Sequence, residues 1–484
     1  MPKGFWIFVY SITLIFVFCG VASSATLAIH PTNPRLFTGM DGKPLMLFGH
    51  EIFSEITDYM LASHGTMGPD YPNQDTFDLS WYIPWLKARG MNYVRGWSTF
   101  TSAYDGVTRS APLPYDRVSG YGNASDGGLK FNLDTWDETF FTRLRNTVAT
   151  FQANGIYYSY MFFDPFDFVD GNFFNGNVFK ASNNTDGITA DTNGNGNGME
   201  FFFSPSADLL DRQKEYVRKV IDTLYEFDNV IYEIANELGN STWQPDMVAY
   251  IRSYEEQKGL KRHLIYIAPG GITNDTGGWS VMDRATMQTN NGDIYAYPRK
   301  WNTSFGINPP VVTSETSIVH PLIAELDHLD AAGDYGWLRD PIFPWRAFTR
   351  GYHFSTYDDP FNGSSNDFPE DATWEAIRKN IGLIATYASG AIDLAVLTPT
   401  TSTSICSTGY CMYTAGSEYV FLQPSSKGKS FTARIVRGTY DYEWISISTG
   451  TIYSRGSFTQ RSTGSRKFTP PVREPMAIYI RKSN

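Results

Sequence analysis

The feature that most constrains the fold is an alternation of short β-rich runs with helical stretches between about residues 45 and 358. Short apolar runs of this kind predict buried strands. Helices joined to them by short connections imply parallel strands with right-handed crossovers. Eight runs are the number that a closed (β/α)₈ barrel needs. The runs are Leu45–Phe53, Met91–Trp97, Ile156–Phe163, Val230–Glu237, Leu264–Ala268, Ile294–Tyr297, Val311–Glu315 and Tyr352–Tyr357.

Three of the intervening helices have start or stop signals of their own. Ser206 is a good N-cap for a helix whose apolar residues recur at helical spacing and which leads directly into the run from Val230. A second helix is predicted from about Asp137 to the Asn154-Gly155 pair, and a third over Trp81 to Ala88. Each predicted helix is followed by a predicted strand, as a (β/α) barrel requires.

The N-terminus predicts export from the cell. Lys3 precedes an apolar stretch from Phe5 to Val21, and small residues follow it, which is the pattern of a signal peptide over residues 1–25. A transmembrane anchor is the alternative, since such a stretch approaches the roughly 20 residues that span a bilayer. We expect a secreted, extracellular or periplasmic protein without stable membrane insertion after cleavage. In that oxidising compartment, Cys406 and Cys411 are predicted to form a disulfide.

The mature chain is longer than one hydrophobic core usually serves, so two domains are predicted. The barrel should occupy residues 26–390, and residues 391–484 should form a smaller antiparallel β-sandwich. In this second region short strands alternate with Gly, Ser, Thr and Pro, without helical periodicity. The predicted strands there are Leu394–Leu397, Tyr419–Leu422, Phe431–Val436, Tyr442–Ser448 and Ala477–Ile480.

Composition and missing motifs exclude several classes of function. The net charge of −11 argues against nucleic-acid binding, which needs a concentrated basic face. No Gly-x-Ser-x-Gly or His-Glu-x-x-His motif is present, which disfavours a serine hydrolase and a zinc enzyme. No cofactor or metal is expected. Residues 191–196 resemble the start of a calcium loop, but Phe202 replaces the bidentate Glu, so we expect a polar loop there, with a calcium site as the alternative.

Two of the predicted strands end in a glutamate. Glu233, Ala235 and Glu237 share one side of their run, which places Glu237 at the C-terminal rim where barrel enzymes hold catalytic groups. Glu315 ends the run predicted as the seventh strand, opposite the fourth. Cleavage of a glycosidic bond with retention needs an acid and a second carboxylate about 5–5.5 Å away. The alternative is that each Glu is a solvated loop residue or a helix cap.

On these residues the sequence resembles clan A of the glycoside hydrolases over roughly residues 40 to 360. The resemblance implies that Glu237 is the general acid/base, that Glu315 is the nucleophile and that Asn236 binds the sugar 2-hydroxyl. It also implies that Arg95 keeps Glu315 ionised and that Tyr297 hydrogen-bonds the nucleophile. The C-terminal region resembles the sandwich that follows apiosidase-like and cellulase-like barrels.

Several positions depart from the pattern of the clan or have a second interpretation. Leu238 follows the Asn-Glu pair where cellulase-type members often have Pro, and Tyr295 stands where a His often precedes the tyrosine. These departures bear on the substrate and leave the mechanism intact. Arg95 has the alternative role of an internal salt bridge to Glu233.

Other candidates for substrate binding follow the predicted strands. They are His50, which with Glu51 ends the first run, and the aromatic residues Trp97 and Tyr357. Aromatic residues are 16% of the chain, and their flat faces suit either sugar rings or a large core, so composition leaves both roles open. For each of these residues a packing role is the alternative.

Together these observations predict a secreted retaining glycoside hydrolase that acts on an oligosaccharide or polysaccharide. The expected substrates are β-linked glycans of the cellulose, mannan or hemicellulose type. Two alternatives stay open at this point. A transglycosylase forms the same intermediate but excludes water, and a non-catalytic carbohydrate-binding barrel keeps the cleft without turnover.

Overall fold

The computed structural model describes residues 25–52, 55–61, 77–104, 108–169, 171–236, 238, 243–267, 294–297, 321–326, 341–356, 372–400 and 402–483. The predicted signal peptide, apart from its last residue, lies outside this set. Among the described residues, no helix is both long and apolar enough to cross a membrane.

Eight parallel strands pair side by side in a closed ring. Each strand pairs with its neighbours in chain order, and the eighth pairs with the first, where Thr356 lies opposite His50. This ring confirms the predicted (β/α)₈ barrel. In chain order the barrel strands are Phe48–Ile52, Tyr93–Gly96, Tyr157–Phe163, Val230–Ala235, Leu264–Ile267, Ile294–Tyr297, Leu322–Leu326 and His353–Thr356.

The seventh barrel strand is not the one that the sequence pattern predicted. Leu322–Leu326 fills this place and pairs with the sixth strand on one side and the eighth on the other. The predicted run Val311–Glu315 lies outside the described residues and precedes this strand in the chain. Two short apolar runs lie between the sixth and eighth strands in the sequence, and the local pattern does not show which of them forms the seventh strand. Closure of the ring selects the run whose backbone pairs with both neighbours.

The three predicted helices are present, and each begins at a polar side chain that accepts a hydrogen bond from a backbone N–H of the first turn. They span Leu79–Ala88, Glu138–Ala153 and Ala207–Leu224, after the caps Asp78, Asp137 and Ser206. The other helices of the described residues are Phe166–Val169, Gly171–Asn175, Glu200–Phe203, Trp243–Lys258, Phe343–Thr349, Ala372–Thr386 and the π-helical turn Tyr387–Ala391.

Short antiparallel strands that the sequence pattern did not predict lie at the two ends of the barrel. Phe37 of an N-terminal sheet and Leu27, which immediately precedes that sheet, belong to a cluster with Tyr93 and Ile231 of the second and fourth barrel strands. Further strands follow the first and second barrel strands. These elements are Ala28–Ile29, Phe37–Thr38 and Pro44–Leu45; Asp58–Leu61, Ala103–Tyr104 and Thr108–Ala111; and the hairpin of Tyr115–Asn123 with Leu129–Trp136.

The C-terminal region is antiparallel, as predicted, with a six-stranded sheet and a two-stranded sheet. The predicted strand Leu394–Leu397 is wrong, because these residues lie mainly in a turn before the strand Thr398–Thr400. The predicted disulfide joins Cys406 to Cys411. The remaining strands are Cys411–Thr414, Glu418–Gln423, Phe431–Ile435, Gly438–Ser446, Thr451–Gln460, Gly464–Phe468 and Met476–Lys482.

The C-terminal sheet packs directly on the last helices of the barrel. Its Ile445 and Tyr479, together with Ile447 just after a strand of the sheet, belong to the same buried cluster as Ile377 and Ile381 of the helix Ala372–Thr386. The predicted domain boundary between residues 390 and 391 falls in the turn Tyr387–Ala391. The two parts therefore share a hydrophobic core across this boundary.

Candidate active site

A buried polar cluster occupies the interior of the barrel. Arg95 of the second strand donates from Nη1 to Glu51 of the first strand at 2.8 Å. It also donates to Glu233 of the fourth strand, from Nε at 2.9 Å and from Nη2 at 2.5 Å. The same Nη2 donates to Asn236 Oδ1 at 2.8 Å. Ser355 of the eighth strand donates to Glu51 at 2.7 Å, and all five residues are fully buried.

The alternation of strands brings these residues together. Glu51 and Arg95 are register partners on adjacent strands, so their side chains leave the sheet on the same side. Glu233 is two strands away, and the long side chain of Arg95 spans that distance. A buried charge is costly unless it is paired and hydrogen-bonded. The pairing of one guanidinium with two carboxylates meets this condition.

Asn236 is the first residue after the fourth strand, immediately before Glu237 in the chain. Because arginine only donates hydrogen bonds, the amide oxygen of Asn236 must be the atom that faces Arg95. Its amide nitrogen Nδ2 is buried and has no hydrogen-bond partner among the described residues. This N–H group is therefore available to an acceptor on a ligand.

Trp97 lies beside the cluster, at the end of the second strand. The guanidinium carbon of Arg95 lies 4.8 Å from the centre of the Trp97 ring, within the range of a cation–π contact. The ring is only 4% exposed. In the structure, Trp97 therefore supports the position of Arg95.

His50 does not face the barrel interior, which corrects its prediction as a substrate-binding residue. Its Nδ1 lies 2.6 Å from the hydroxyl of Tyr82, and its ring packs against Trp85. Both aromatic residues belong to the helix Leu79–Ala88, outside the barrel. Neighbouring residues of a strand point to opposite sides, so Glu51 takes the inward position. In the sequence, this alternation places His50 and Glu51 on opposite sides of the strand but does not say which side faces the interior.

The alternative role foreseen for Arg95, an ion pair with Glu233, is present. Glu237, Glu315 and Tyr357 lie outside the described residues. Tyr297 ends the sixth barrel strand, where its backbone pairs with Ala324. Their predicted roles, including that of Arg95 beside Glu315, stay predictions.

The signal for Glu51 and Ser355 was weak in the sequence. Neither residue is part of a motif, and Ser355 is one of many serines in the chain. Their role depends on the pairing of the first strand with both the second and the eighth. Such pairing is a property of the closed barrel and not of either segment alone.

A second buried carboxylate, Glu55, lies just outside the barrel wall. It is 1% exposed and accepts a hydrogen bond at 2.7 Å from Tyr158, whose ring stacks on Phe151 of the helix Glu138–Ala153. Burial raises the pKa of Glu55 to about 8, while Tyr158 and the nearby Arg143 act in the opposite direction. Since Tyr158 points away from the barrel interior, Glu55 is not part of the cluster around Arg95.

The described residues contain no group of three or more His, Cys, Asp or Glu side chains that could hold a metal ion. In the loop that resembles the start of a calcium site, the Asp191 carboxylate accepts from the backbone N–H groups of Gly194, Asn195 and Gly196. The main chain of the loop thus already satisfies this carboxylate.

Comparison with known proteins finds similar folds. No protein-family model matches the chain, and no curated protein does. A solved structure described as a glycoside hydrolase is 14% identical, has a TM-score of 0.55 and covers 95% of this chain and 98% of its own. A glycoside hydrolase family 5 structure from Bacteroides vulgatus is 14% identical, with a TM-score of 0.54, and covers 95% of this chain and 94% of its own. Over nearly its whole length, the chain therefore has the fold of these glycoside hydrolase structures.

Proposed function

We propose that this protein is a secreted retaining glycoside hydrolase that cleaves β-linked glycans of the cellulose, mannan or hemicellulose type. The observation that supports this proposal most is the buried cluster of Arg95, Glu51, Glu233 and Asn236. Asn236 immediately precedes Glu237 in the chain. The cluster leaves an amide N–H of Asn236 available at the carboxyl end of a barrel strand, the end at which barrel enzymes hold their substrates. The likeness in fold to structures described as glycoside hydrolases agrees with this activity.

In the proposed reaction, Glu237 protonates the oxygen of the glycosidic bond as that bond breaks. The carboxylate of Glu315 attacks the sugar carbon, and a covalent glycosyl-enzyme forms with inversion. Water, deprotonated by Glu237, then displaces the Glu315 carboxylate with a second inversion, so configuration is retained. Asn236 donates to the sugar 2-hydroxyl. In this proposal, Tyr297 hydrogen-bonds the Glu315 carboxylate, and Trp97 and Tyr357 bind the sugar rings.

The position of the seventh strand makes Glu325 the rival nucleophile. Glu325 lies within that strand and pairs in register with Ser355, which hydrogen-bonds Glu51 of the cluster. Glu315 instead precedes the strand in the chain. A retaining mechanism uses one nucleophile, so variants of these two glutamates separate the alternatives.

The test compares Glu315→Gly with Glu325→Gly on an activated aryl glycoside. We expect Glu315→Gly to abolish hydrolysis, and azide to restore turnover by entering the vacated space and giving a product of inverted configuration. Glu325→Gly should keep most of the wild-type rate. The opposite pattern would make Glu325 the nucleophile. Full activity in both variants would contradict the two-carboxylate mechanism.

In the same assays, Glu237→Ala tests the acid/base. Substrates with poor leaving groups should lose about 10²–10⁴-fold in rate, the usual contribution of general acid catalysis. Activated aryl glycosides should lose less in the first step, and azide should speed breakdown of the intermediate with retained configuration. Transfer of the sugar to a second sugar in place of water would identify a transglycosylase. Glycan binding by the wild type without turnover would indicate a non-catalytic barrel.

A further inference from the structure

Arg95 is held at both ends of its guanidinium by carboxylates from different strands. Glu233 accepts from Nε and Nη2, and Glu51 accepts from Nη1. A guanidinium is rigid and planar, so bonds at these three nitrogens fix both its position and its plane. If Glu233 were its partner alone, the guanidinium of Arg95 could still tilt about its two hydrogen bonds to that carboxylate.

Glu51 is itself held from the other side. The hydroxyl of Ser355 donates to Glu51 Oε1 at 2.7 Å, while Glu51 Oε2 accepts from Arg95 at 2.8 Å. One hydrogen-bonded chain therefore runs from Ser355 through Glu51 and Arg95 to Asn236. It connects the eighth, first and second strands with the end of the fourth.

The last member of this chain is an amide whose orientation decides what it can bind. Arg95 is the one hydrogen-bond partner that the Asn236 side chain has within the described part of the chain. While Arg95 Nη2 faces Oδ1, the amide nitrogen has to point away from the guanidinium. A flipped amide would bring two donors together, which is unfavourable. The direction of the Nδ2 donor therefore depends on where Arg95 is held.

We infer that Glu51 is a positioning residue for substrate recognition. Through Arg95 it holds the Asn236 amide so that Nδ2 donates to the hydroxyl next to the reacting sugar carbon. The inference rests on the proposed glycosidase function, in which Asn236 binds that hydroxyl. Glu51 does not touch the substrate, and its loss removes one directed hydrogen bond without removing either of the two working carboxylates.

The kinetic test uses the aryl β-glucosides or β-mannosides that the wild type cleaves and the 2-deoxy analogue, which lacks the hydroxyl in both series. Glu51→Ala should lower kcat/KM about tenfold to hundredfold on the parent substrate, the size of one directed hydrogen bond, and less than about threefold on the analogue. Asn236→Ala should show the same selectivity, and the double variant should lose no more than either single one.

Two further variants serve as controls. Glu51→Gln keeps the shape and an acceptor oxygen and should recover part of the loss. Glu55→Gln removes another buried carboxylate, outside the barrel wall, and should not distinguish the two substrates. Equal losses of Glu51→Ala on both substrates, or additive losses in the double variant, would overturn the inference.

A crystallographic comparison tests the positioning without any turnover. The bond between Arg95 Nη2 and Asn236 Oδ1 should be lost or lengthened in Glu51→Ala relative to the wild type, where it is 2.8 Å. If Glu51→Ala does not fold, Glu51→Gln takes its place, with a smaller displacement expected. An unchanged bond overturns the inference. A broken bond in a protein whose wild type cleaves no glycoside would instead refute the proposed function and leave the positioning of Asn236 by Glu51 intact.

Discussion

Burial shifts the pKa values of single side chains in opposite directions in this barrel. The pKa of Glu55 is raised to about 8 because burial would strip its charged form of hydration. Burial also lowers the pKa of His353, to about 4. Its Nδ1 accepts from the backbone N–H of Leu47 and its Nε2 faces the carbonyl of Arg35, an arrangement that requires the neutral ring. Both groups are therefore neutral in the folded protein near pH 6.

The pKa of Glu55 predicts a stability that falls with rising pH. Below about pH 4.5 Glu55 is protonated in both the folded and unfolded states, and above about pH 8 it is ionised in both. Between these values only the unfolded state releases the proton. The free energy of unfolding should therefore decrease toward alkaline pH, by at most about 1.4 kcal/mol per pH unit. The measurement is denaturant unfolding of the wild type and of Glu55→Gln from pH 4 to 9.

Glu55→Gln preserves the size of the side chain and an acceptor for Tyr158, so the difference between the two proteins isolates the titration. His353 acts with the opposite sign between about pH 4 and 6.5, but it is present in both proteins and cancels. A difference in stability that does not change with pH would show that Glu55 titrates normally.

At the scale of single elements, the helices depend on local signals at their first residue. The Asp137 side chain accepts a hydrogen bond from the backbone N–H of Thr139 and begins the helix Glu138–Ala153. This helix covers the third barrel strand through Phe151, which stacks on Tyr158. Its N-terminus is thus set by sequence, and its orientation by the strand beneath it.

Loss of this cap should destabilise the protein by a predictable amount. Asp137→Ala is expected to lower the free energy of unfolding by about 1 kcal/mol, because it leaves a backbone N–H of the first turn without a partner. Asp137→Asn keeps a capping oxygen and should remain close to the wild type. Chemical denaturation of the three proteins measures this. Equal losses of stability in Asp137→Asn and Asp137→Ala would show that charge, and not the hydrogen bond, sets the contribution.

At the scale of the whole molecule, one asparagine joins the barrel to the C-terminal sheet. Asn380 accepts from the Trp345 indole N–H at 2.7 Å and donates to the carbonyl of Ile447 at 2.8 Å. All three groups are buried, and the apolar cluster around them includes residues of both parts. The C-terminal sheet and the barrel should therefore unfold together.

Asn380→Ala should weaken this connection strongly. It leaves a buried indole N–H and a buried carbonyl without their partners, at about 1–3 kcal/mol each. The free energy of unfolding should fall by roughly 2–6 kcal/mol, measured by denaturation with tryptophan fluorescence and far-UV circular dichroism together. Lys379→Ala, at the preceding and largely exposed residue, is the matched control and should change little. Two separate transitions in the wild type would contradict a shared core.

The sequence predicted the elements that depend on neighbouring residues alone. The capped helices after Asp137 and Ser206 are present, and the disulfide forms between the two predicted cysteines. Seven of the eight barrel strands match predicted runs, because apolar runs and helix caps involve only neighbouring residues. The Asn236-Glu237 pair was likewise predicted as part of the site from its position at the end of one buried strand.

The tertiary structure alone decided which segment closes the barrel and which side chains meet inside it. Leu322–Leu326 becomes the seventh strand because its backbone pairs with two distant segments at once. Glu51 joins Arg95 and Ser355 because the first and eighth strands are neighbours only after ring closure. Register and closure are long-range constraints: they depend on hydrogen bonds between residues hundreds of positions apart, and no local window of the sequence contains both partners.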